Sequence, residues 1–326
     1  MTRSTRTSVP AIPAAPSLRA SVAATAAAYA LRPVHNAIPM NPPGIWFARQ
    51  LIATFMAVGG PPMSGITVTK VREGAVRGEW VCAPGVTFGS RAVYYIHGSG
   101  YVLCSARTHR GLAARLSKRT GLPVFVVDYR LAPEHPFPAA ADDVEAGYAW
   151  LLRRYPAADL VIGCDSAGGH LALDLLLENQ RRNRPQPAAV AMFSPLLDLS
   201  FGLAAEQERR RPDPLITAHA ARKLPAQYTR GLPADAPRLR LSIPKGTVLP
   251  PILVQAGGTE MLSADARALH EMVRGAGGEC VLEIWPGQVH VFQALPVLVP
   301  EADRALARAA DFLCAAMVTG TAEKVS

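Results

Sequence analysis

Residues 160–180 read LVIGCDSAGGHLALDLLLENQ, and the spacing of the apolar residues changes inside that stretch. Leu160-Val-Ile is a short continuous apolar run, as a buried strand shows, whereas from Ala167 to Gln180 the apolar residues recur at helical spacing. Ser166 sits at the junction, followed by Gly168 and Gly169, small residues that let backbone pass closely. A strand that turns sharply into a helix holds a serine hydroxyl exposed and leaves the next N–H free at the helix N-terminus. The competing reading is a serine that merely caps a helix after a strand.

Outward from that junction the same alternation recurs. Ala92–Ile96, Pro123–Val127, Ala188–Phe193, Ile252–Gln255 and Val281–Trp285 are short apolar runs. Helical patterns at about 108–119, 138–154, 264–275 and 301–316 separate most of them, which predicts a largely parallel, doubly wound sheet. The stretches 66–71 and 76–81 alternate with period two and predict outer strands. Upstream, the first ~16 residues, with Pro10, Pro13 and Pro16, read as a mobile tail. Ser17 can cap a helix to about Leu31. A second helix begins at Asn41, with Pro42 and Pro43 in its first turn, and carries Trp46, Phe47 and Phe55, which either line a pocket or bury against the core. More than fifty residues rich in Arg and Pro separate Phe193 from Ile252, too many for a plain connection, and read as an inserted cap. The expected organisation is 1–60 tail and cap helices, 61–195 first part of the core, 196–250 cap insertion and 251–326 second part of the core.

The 326 residues are 49% hydrophobic, enough for a sizeable core. No apolar run approaches the ~18 residues of a membrane span, and no secretory signal is legible, so a soluble, cytoplasmic protein is expected. The five cysteines lack metal-ligand spacing and predict neither a disulfide framework nor a zinc site. The net charge of +9 is uneven. Residues 1–60 hold five arginines and no carboxylate, 196–250 hold nine basic against five acidic residues, and the remainder is neutral. That excess is either a solvated arginine face or a basic rim that attracts anionic substrates or makes peripheral contact with anionic lipid. No nucleic-acid-reading motif accompanies it.

Three further motifs fall at predicted carboxyl ends of strands, the edge where Ser166 lies. His97-Gly98-Ser99-Gly100 can point successive N–H groups into a cavity. Glu260 closes Gly257-Gly-Thr-Glu260, and His290 lies in Val289-His-Val-Phe292. A serine, a histidine and a carboxylate are the parts of an activated nucleophile, in the chain order Ser…Glu…His. Each motif alone also reads as an ordinary turn or a structural histidine. Asp265 is the rival acid, expected inside the next helix and facing away.

Together with Asp128-Tyr-Arg-Leu-Ala-Pro-Glu-His-Pro-Phe-Pro138, these motifs resemble the hormone-sensitive-lipase-like family of α/β-hydrolases, many of them bacterial carboxylesterases. The resemblance spans about residues 66–316 and implies an α/β-hydrolase fold: a mostly parallel, doubly wound, eight-stranded sheet with a helical cap. It implies a serine hydrolase of short- to medium-chain carboxylic esters working through an acyl-enzyme, with Ser166 as nucleophile, Glu260 as acid and His290 as base. The oxyanion donors would come from the N–H groups of Gly98, Ser99, Gly100 and Ala167, chiefly the last three. His97 and the 128–138 run would be buried support. Neither a metal nor an organic cofactor is called for, and the partner would be a small ester or lipid. Cys164 and Ser99 stand where the family usually has glycine, with some strain expected at 164, and Glu260 stands where it often has Asp. An amidase, deacetylase or lactonase would share this pattern. A non-catalytic receptor on the fold is expected to lack one of the three reacting groups. The pattern leaves monomer and homodimer equally open.

Overall fold

The computed structural model describes residues 11–98, 100–233 and 235–322; residues 1–10 of the expected tail and Ser99 lie outside them. Eight strands form one sheet: β1 (Thr67–Glu73), β2 (Val76–Cys82), β3 (Ala92–Ile96), β4 (Val124–Val127), β5 (Leu160–Asp165), β6 (Ala189–Phe193), β7 (Ile252–Gly257) and β8 (Cys280–Trp285). Their order is β1-β2-β4-β3-β5-β6-β7-β8, antiparallel at β1/β2 and β2/β4 and parallel elsewhere. Helices α1 (Leu18–Ala26), α2 (Arg32–Ala37) and α3 (Pro42–Gly59) precede the sheet. Helices α4 (Arg110–Thr120), α5 (Ala139–Leu152) and α6 (Ala167–Arg181) follow β3, β4 and β5. Helices α7 (Gly202–Arg210), α8 (Ala218–Ala221) and α9 (Lys223–Thr229) lie between β6 and β7, and α10 (Ser263–Gly275) and α11 (Glu301–Ala322) follow β7 and β8.

The continuous apolar runs are explained by burial on both faces, since successive strand residues point to opposite sides. Val93 and Tyr95 of β3, Val161 of β5 and Leu253 of β7 pack with Leu112 and Leu116 of α4 and Leu306 and Leu313 of α11. Their neighbours Tyr94, Ile96, Ile162 and Val254 pack on the opposite side with α5, α6 and α10. Edge strand β1 instead exposes Lys70, Arg72 and Glu73, which discourages pairing with another chain. The five cysteines are unpaired. Among the described residues no helix is long and apolar enough to cross a membrane.

The N-terminal helices and the inserted 196–250 segment are tied to each other by polar contacts. Arg32 pairs with Glu208 at 2.9 Å, and His35 Nδ1 meets the Leu215 carbonyl at 2.9 Å. Asn36 Oδ1 accepts from both the N–H and the hydroxyl of Thr217, each at 3.0 Å. The expected end of the first helix at Leu31 is passed: a π-helical turn (Ala27–Leu31), with the Arg32 N–H bonded to the Ala27 carbonyl, leads into α2 and Pro33. Asn41 caps α3 by accepting from the Gly44 N–H at 2.9 Å. Midway along α3, Arg49 reaches the core. Its Nε donates to the Val102 carbonyl at 2.9 Å, Nη2 to the Ala132 carbonyl at 3.1 Å, and the guanidinium grips Glu134 with two bonds of 2.8 Å.

Three expectations need correcting. The 128–138 run is not wholly buried: Asp128, Arg130, Glu134, His135 and Pro138 are exposed, because it lies as a strap on the surface, anchored by buried Tyr129 and Ala132. The arginine excess is partly committed, since Arg32, Arg49 and Arg238 each hold a carboxylate, the last on Asp174 at 2.9 Å. Trp46 and Phe47 line no pocket; they sit on the outer face of α3, 64% and 47% exposed.

Removing the Arg49 side chain strands two half-buried carbonyls, whereas removing Glu134 breaks only an exposed ion pair. Arg49→Ala is expected to lower stability to urea by about 1–3 kcal/mol and Glu134→Ala by less than about 1 kcal/mol. Equal losses in the two variants would show that the pair, and not the carbonyl contacts, secures α3.

Candidate active site

The parallel strands β5, β6, β7 and β8 are neighbours, and Ser166, Ser194, Glu260 and His290 lie just past their carboxyl ends at one edge of the sheet. Ser166 follows β5 with φ 50° and ψ −121°, a backbone geometry that a serine holds only on a sharp turn. The turn is over-determined. Ser166 N–H donates to the Phe193 carbonyl, and its own carbonyl accepts from Gly169 and Leu196, all at 2.9 Å. A Cβ at Gly168 would stand 2.1 Å from the Ile96 carbonyl oxygen, so the helix can begin this close to β3 only without one. The Ser166 side chain caps nothing; it meets His290 Nε2 at 3.0 Å. The strain expected at Cys164 is absent. Cys164 continues β5 with ordinary strand backbone, and its buried side chain packs in the core.

His290 Nδ1 lies 2.6 Å from Glu260 Oε2. The other Glu260 oxygen accepts from the Ser194 hydroxyl at 2.7 Å and from the Gly257 N–H at 2.5 Å. Ser194, at the end of β6, accepts in turn from the Val291 N–H at 2.9 Å. The loops after β7 and β8 are stitched directly as well: Gly258 N–H donates to the Trp285 carbonyl at 2.7 Å, and Thr259 N–H and hydroxyl both donate to the Gln288 carbonyl. Asp265 is indeed inside α10 and away from His290. It is fully buried and accepts from the N–H groups of Leu197 and Asp198 at 2.9 Å each.

Burial pushes the His290 pKa down, but the adjacent Glu260 charge and its hydrogen bond, with Asp213 and Asp165 beyond, outweigh it, so the net shift is upward. Asp213 comes from the inserted segment. It accepts from Leu215 N–H and Met261 N–H at 2.8 Å each, and burial pushes its carboxyl up to about 6. It therefore ties the segment's wall to the residue directly after Glu260.

On the other side of Ser166, Asp165 is buried and held by the Tyr95 hydroxyl at 2.8 Å and His109 Nε2 at 3.4 Å. Burial pushes the Asp165 carboxyl up, and His109, Tyr95 and a hydrogen bond from the Gly98 N–H together reverse that to a net lowering. Gly98 lies against the Asp165 carboxylate and also lines the cavity. Gly100, at φ 54°, faces the cavity and presses against Leu224 of α9. Ala167 is the first residue of α6, where the helix supplies no partner for its N–H. Ser99 lies outside the described residues. His97 does not line the cavity; it stacks on Tyr129 with centroids 4.3 Å apart, and burial pushes its pKa down to about 3.

Above Ser166 and His290 is a cavity of about 220 Å³. Ala48, Leu51, Ile52 and Phe55 of α3 form one wall, and Leu215 and Leu224 of the inserted segment another. Sequence reasoning missed Ser194, Asp213 and the Tyr95–His109 clasp. Ser194 had a usable signal, being the residue after a central strand next to β5. Asp213 had a weaker one, a lone carboxylate heading the apolar run Pro214-Leu-Ile.

Residues 93–294 match the family described as the alpha/beta hydrolase fold. An acetyl-hydrolase from Streptomyces hygroscopicus is 35% identical over 263 residues, 79% of this chain and 85% of that protein. The carboxylesterase/phospholipase LipF of Mycobacterium tuberculosis is 34% identical over 264 residues, 77% of this chain and 70% of its own. A crystal structure of an esterase from the bacterial hormone-sensitive lipase family superposes with a TM-score of 0.82 at 32% identity, covering 91% of this chain and 98% of that one. The chain belongs to the α/β-hydrolase fold family, within its hormone-sensitive-lipase-like esterase branch. It is a carboxylesterase-like hydrolase.

The carboxylates around His290 set its titration, and NMR of the imidazole reads it directly. The His290 pKa is expected above the ordinary ~6.5 in the parent, below it in Glu260→Gln, where burial is left largely unopposed, and between the two in Asp213→Asn. An unchanged value in Glu260→Gln would remove the charge argument.

Proposed function

We propose that this chain hydrolyses small carboxylic esters through an acyl-enzyme, with Ser166 as nucleophile, His290 as general base and then acid, and Glu260 as the carboxylate that orients it. The observation that carries this reading is the unbroken series of hydrogen bonds from Ser166 Oγ through His290 to Glu260, on the floor of an apolar cavity. As Ser166 Oγ attacks the ester carbonyl, His290 Nε2 takes its proton. Glu260 fixes the tautomer by accepting from Nδ1 and stabilises the imidazolium that forms.

The carbonyl oxygen becomes an oxyanion, for which the N–H groups of Gly100 and Ala167 are the donors we assign. Gly98, beside the Asp165 carboxylate, is a further N–H at the cavity wall. His290 then protonates the departing alcohol, and a water activated by the same imidazole releases the acid. The N-terminal helices and the inserted segment act as the cap, supplying apolar walls that receive the acyl and alcohol parts. A cavity of about 220 Å³ lies below the ~300–1,000 Å³ of drug-sized sites, which favours short acyl chains. The names of the relatives, acetyl-hydrolase and carboxylesterase, favour esters over amides and lactones.

Turnover of p-nitrophenyl esters from acetyl to long acyl chains tests the reading. Activity is expected to peak at short chains and to fall by about 10⁴-fold or more in Ser166→Ala. A folded parent that turns over no ester sinks the proposal.

The base must be neutral to accept the serine proton. kcat/KM should therefore fall with decreasing pH through a single ionisation above the ordinary histidine value of ~6.5. An acid limb well below that value would exclude His290, as placed, from the role.

A further inference from the structure

Fourteen large apolar side chains are exposed among the described residues, and seven of them lie on residues 18–58, Leu18, Tyr29, Trp46 and Phe47 included. They form stripes. Leu18, Val22 and Tyr29 are spaced to share one face of the α1–α2 stretch. Pro43, Trp46, Phe47, Gln50, Thr54 and Ala57 run along the outer face of α3. Among the described residues 11–60, Arg19 is the one exposed charged residue. Arg211 borders the same face, sharing a shallow depression with Thr25 and Tyr29. The nearby carboxylates are taken: Glu208 by Arg32, Glu134 by Arg49, and Glu301 by the N–H and hydroxyl of Ser17.

A face that combines exposed Trp, Tyr and Phe with arginines and no free carboxylate matches the headgroup level of an anionic bilayer, where amphipathic rings settle and cations meet phosphates. It does not match itself. A two-fold pair would set the patch against its own kind, and residues 1–60 offer no carboxylate to pair its arginines. The opposite side of α3, through Leu51, Ile52 and Phe55, is a wall of the cavity above Ser166. A lipid boundary on the outer face would therefore lie one helix diameter from the site.

We propose that the outer face of α1–α3 docks this enzyme onto anionic lipid membranes, with Trp46, Phe47 and Tyr29 entering the interface and arginines engaging the headgroups. Co-sedimentation with phosphatidylcholine vesicles, with and without phosphatidylglycerol, tests it without requiring turnover, so its outcome is independent of the esterase reading. The full chain should sediment with the phosphatidylglycerol vesicles and be released by salt. The double variant Trp46→Ala/Phe47→Ala should weaken that binding by about tenfold or more, and Leu18→Ser/Tyr29→Ser, on a separate helix, should weaken it likewise. Hydrolysis of soluble p-nitrophenyl acetate by both variants should stay within about twofold of the parent, because these side chains touch neither Ser166 nor the cavity. Three results overturn the proposal: no binding to phosphatidylglycerol vesicles, binding that both double variants retain, or a dimer in sedimentation velocity that Trp46→Ala/Phe47→Ala abolishes.

Discussion

Glu260 is a carboxylate with no exposure to water, and such a group is tolerated only where its oxygens find donors. Its donors come from three places in the chain: the Ser194 hydroxyl after β6, the Gly257 N–H at the end of β7, and His290 after β8. The sheet order makes that possible, because β6, β7 and β8 are neighbours and their carboxyl ends arrive together. Once Glu260 is satisfied, the His290 ring has one orientation, with Nε2 directed at the serine on β5, the strand beside β6. Ser194 binds both Glu260 and the Val291 N–H, so the carboxylate and the loop carrying the imidazole share one anchor.

The same division of labour governs the cavity. Its interior faces are apolar, so the segments that close it are secured by polar contacts placed at their margins. Arg32, His35 and Asn36 join the N-terminal helices to the inserted segment, while Arg49 fastens α3 to the carbonyls of Val102 and Ala132. Asp213 reaches from the inserted segment to the Met261 N–H, so the cavity wall and the Glu260 turn hold one another. Two of the arginines that read as a rim in the sequence, Arg32 and Arg49, are consumed in these ties. On the N-terminal helices what is left outside is chiefly an apolar, aromatic face, whereas the inserted segment still exposes Arg209, Arg211, Arg222 and Arg240.

Continuous apolar runs located six strands, because a sheet buried on both faces writes them that way, while period-two alternation located β1 and β2 and helical spacing most helices. The candidate nucleophile, acid and base were legible for a different reason. A reacting group placed just past a central strand leaves a local signature of small residues around it. Local signatures do not report orientation. The Gly98-Ser-Gly100 loop offered several N–H groups of equal standing, and only the folded chain brings the Asp165 carboxylate beside Gly98 and Leu224 beside Gly100. In the same way α3 was read correctly as an apolar helix, yet which aromatics faced the cavity depended on how Arg49 fixed its rotation.

The sequence by itself determined the alternation of strands and helices and the positions of Ser166, Glu260 and His290 just past strands, since each is encoded within a few neighbouring residues. The tertiary structure alone decided that Ser194 and Asp213 support the site, that Cys164 fits without strain, and that Trp46 and Phe47 face outward. Those facts are contacts between segments far apart in the chain, fixed by where hydrogen-bond donors and close-packed side chains meet in space, and no local pattern carries them.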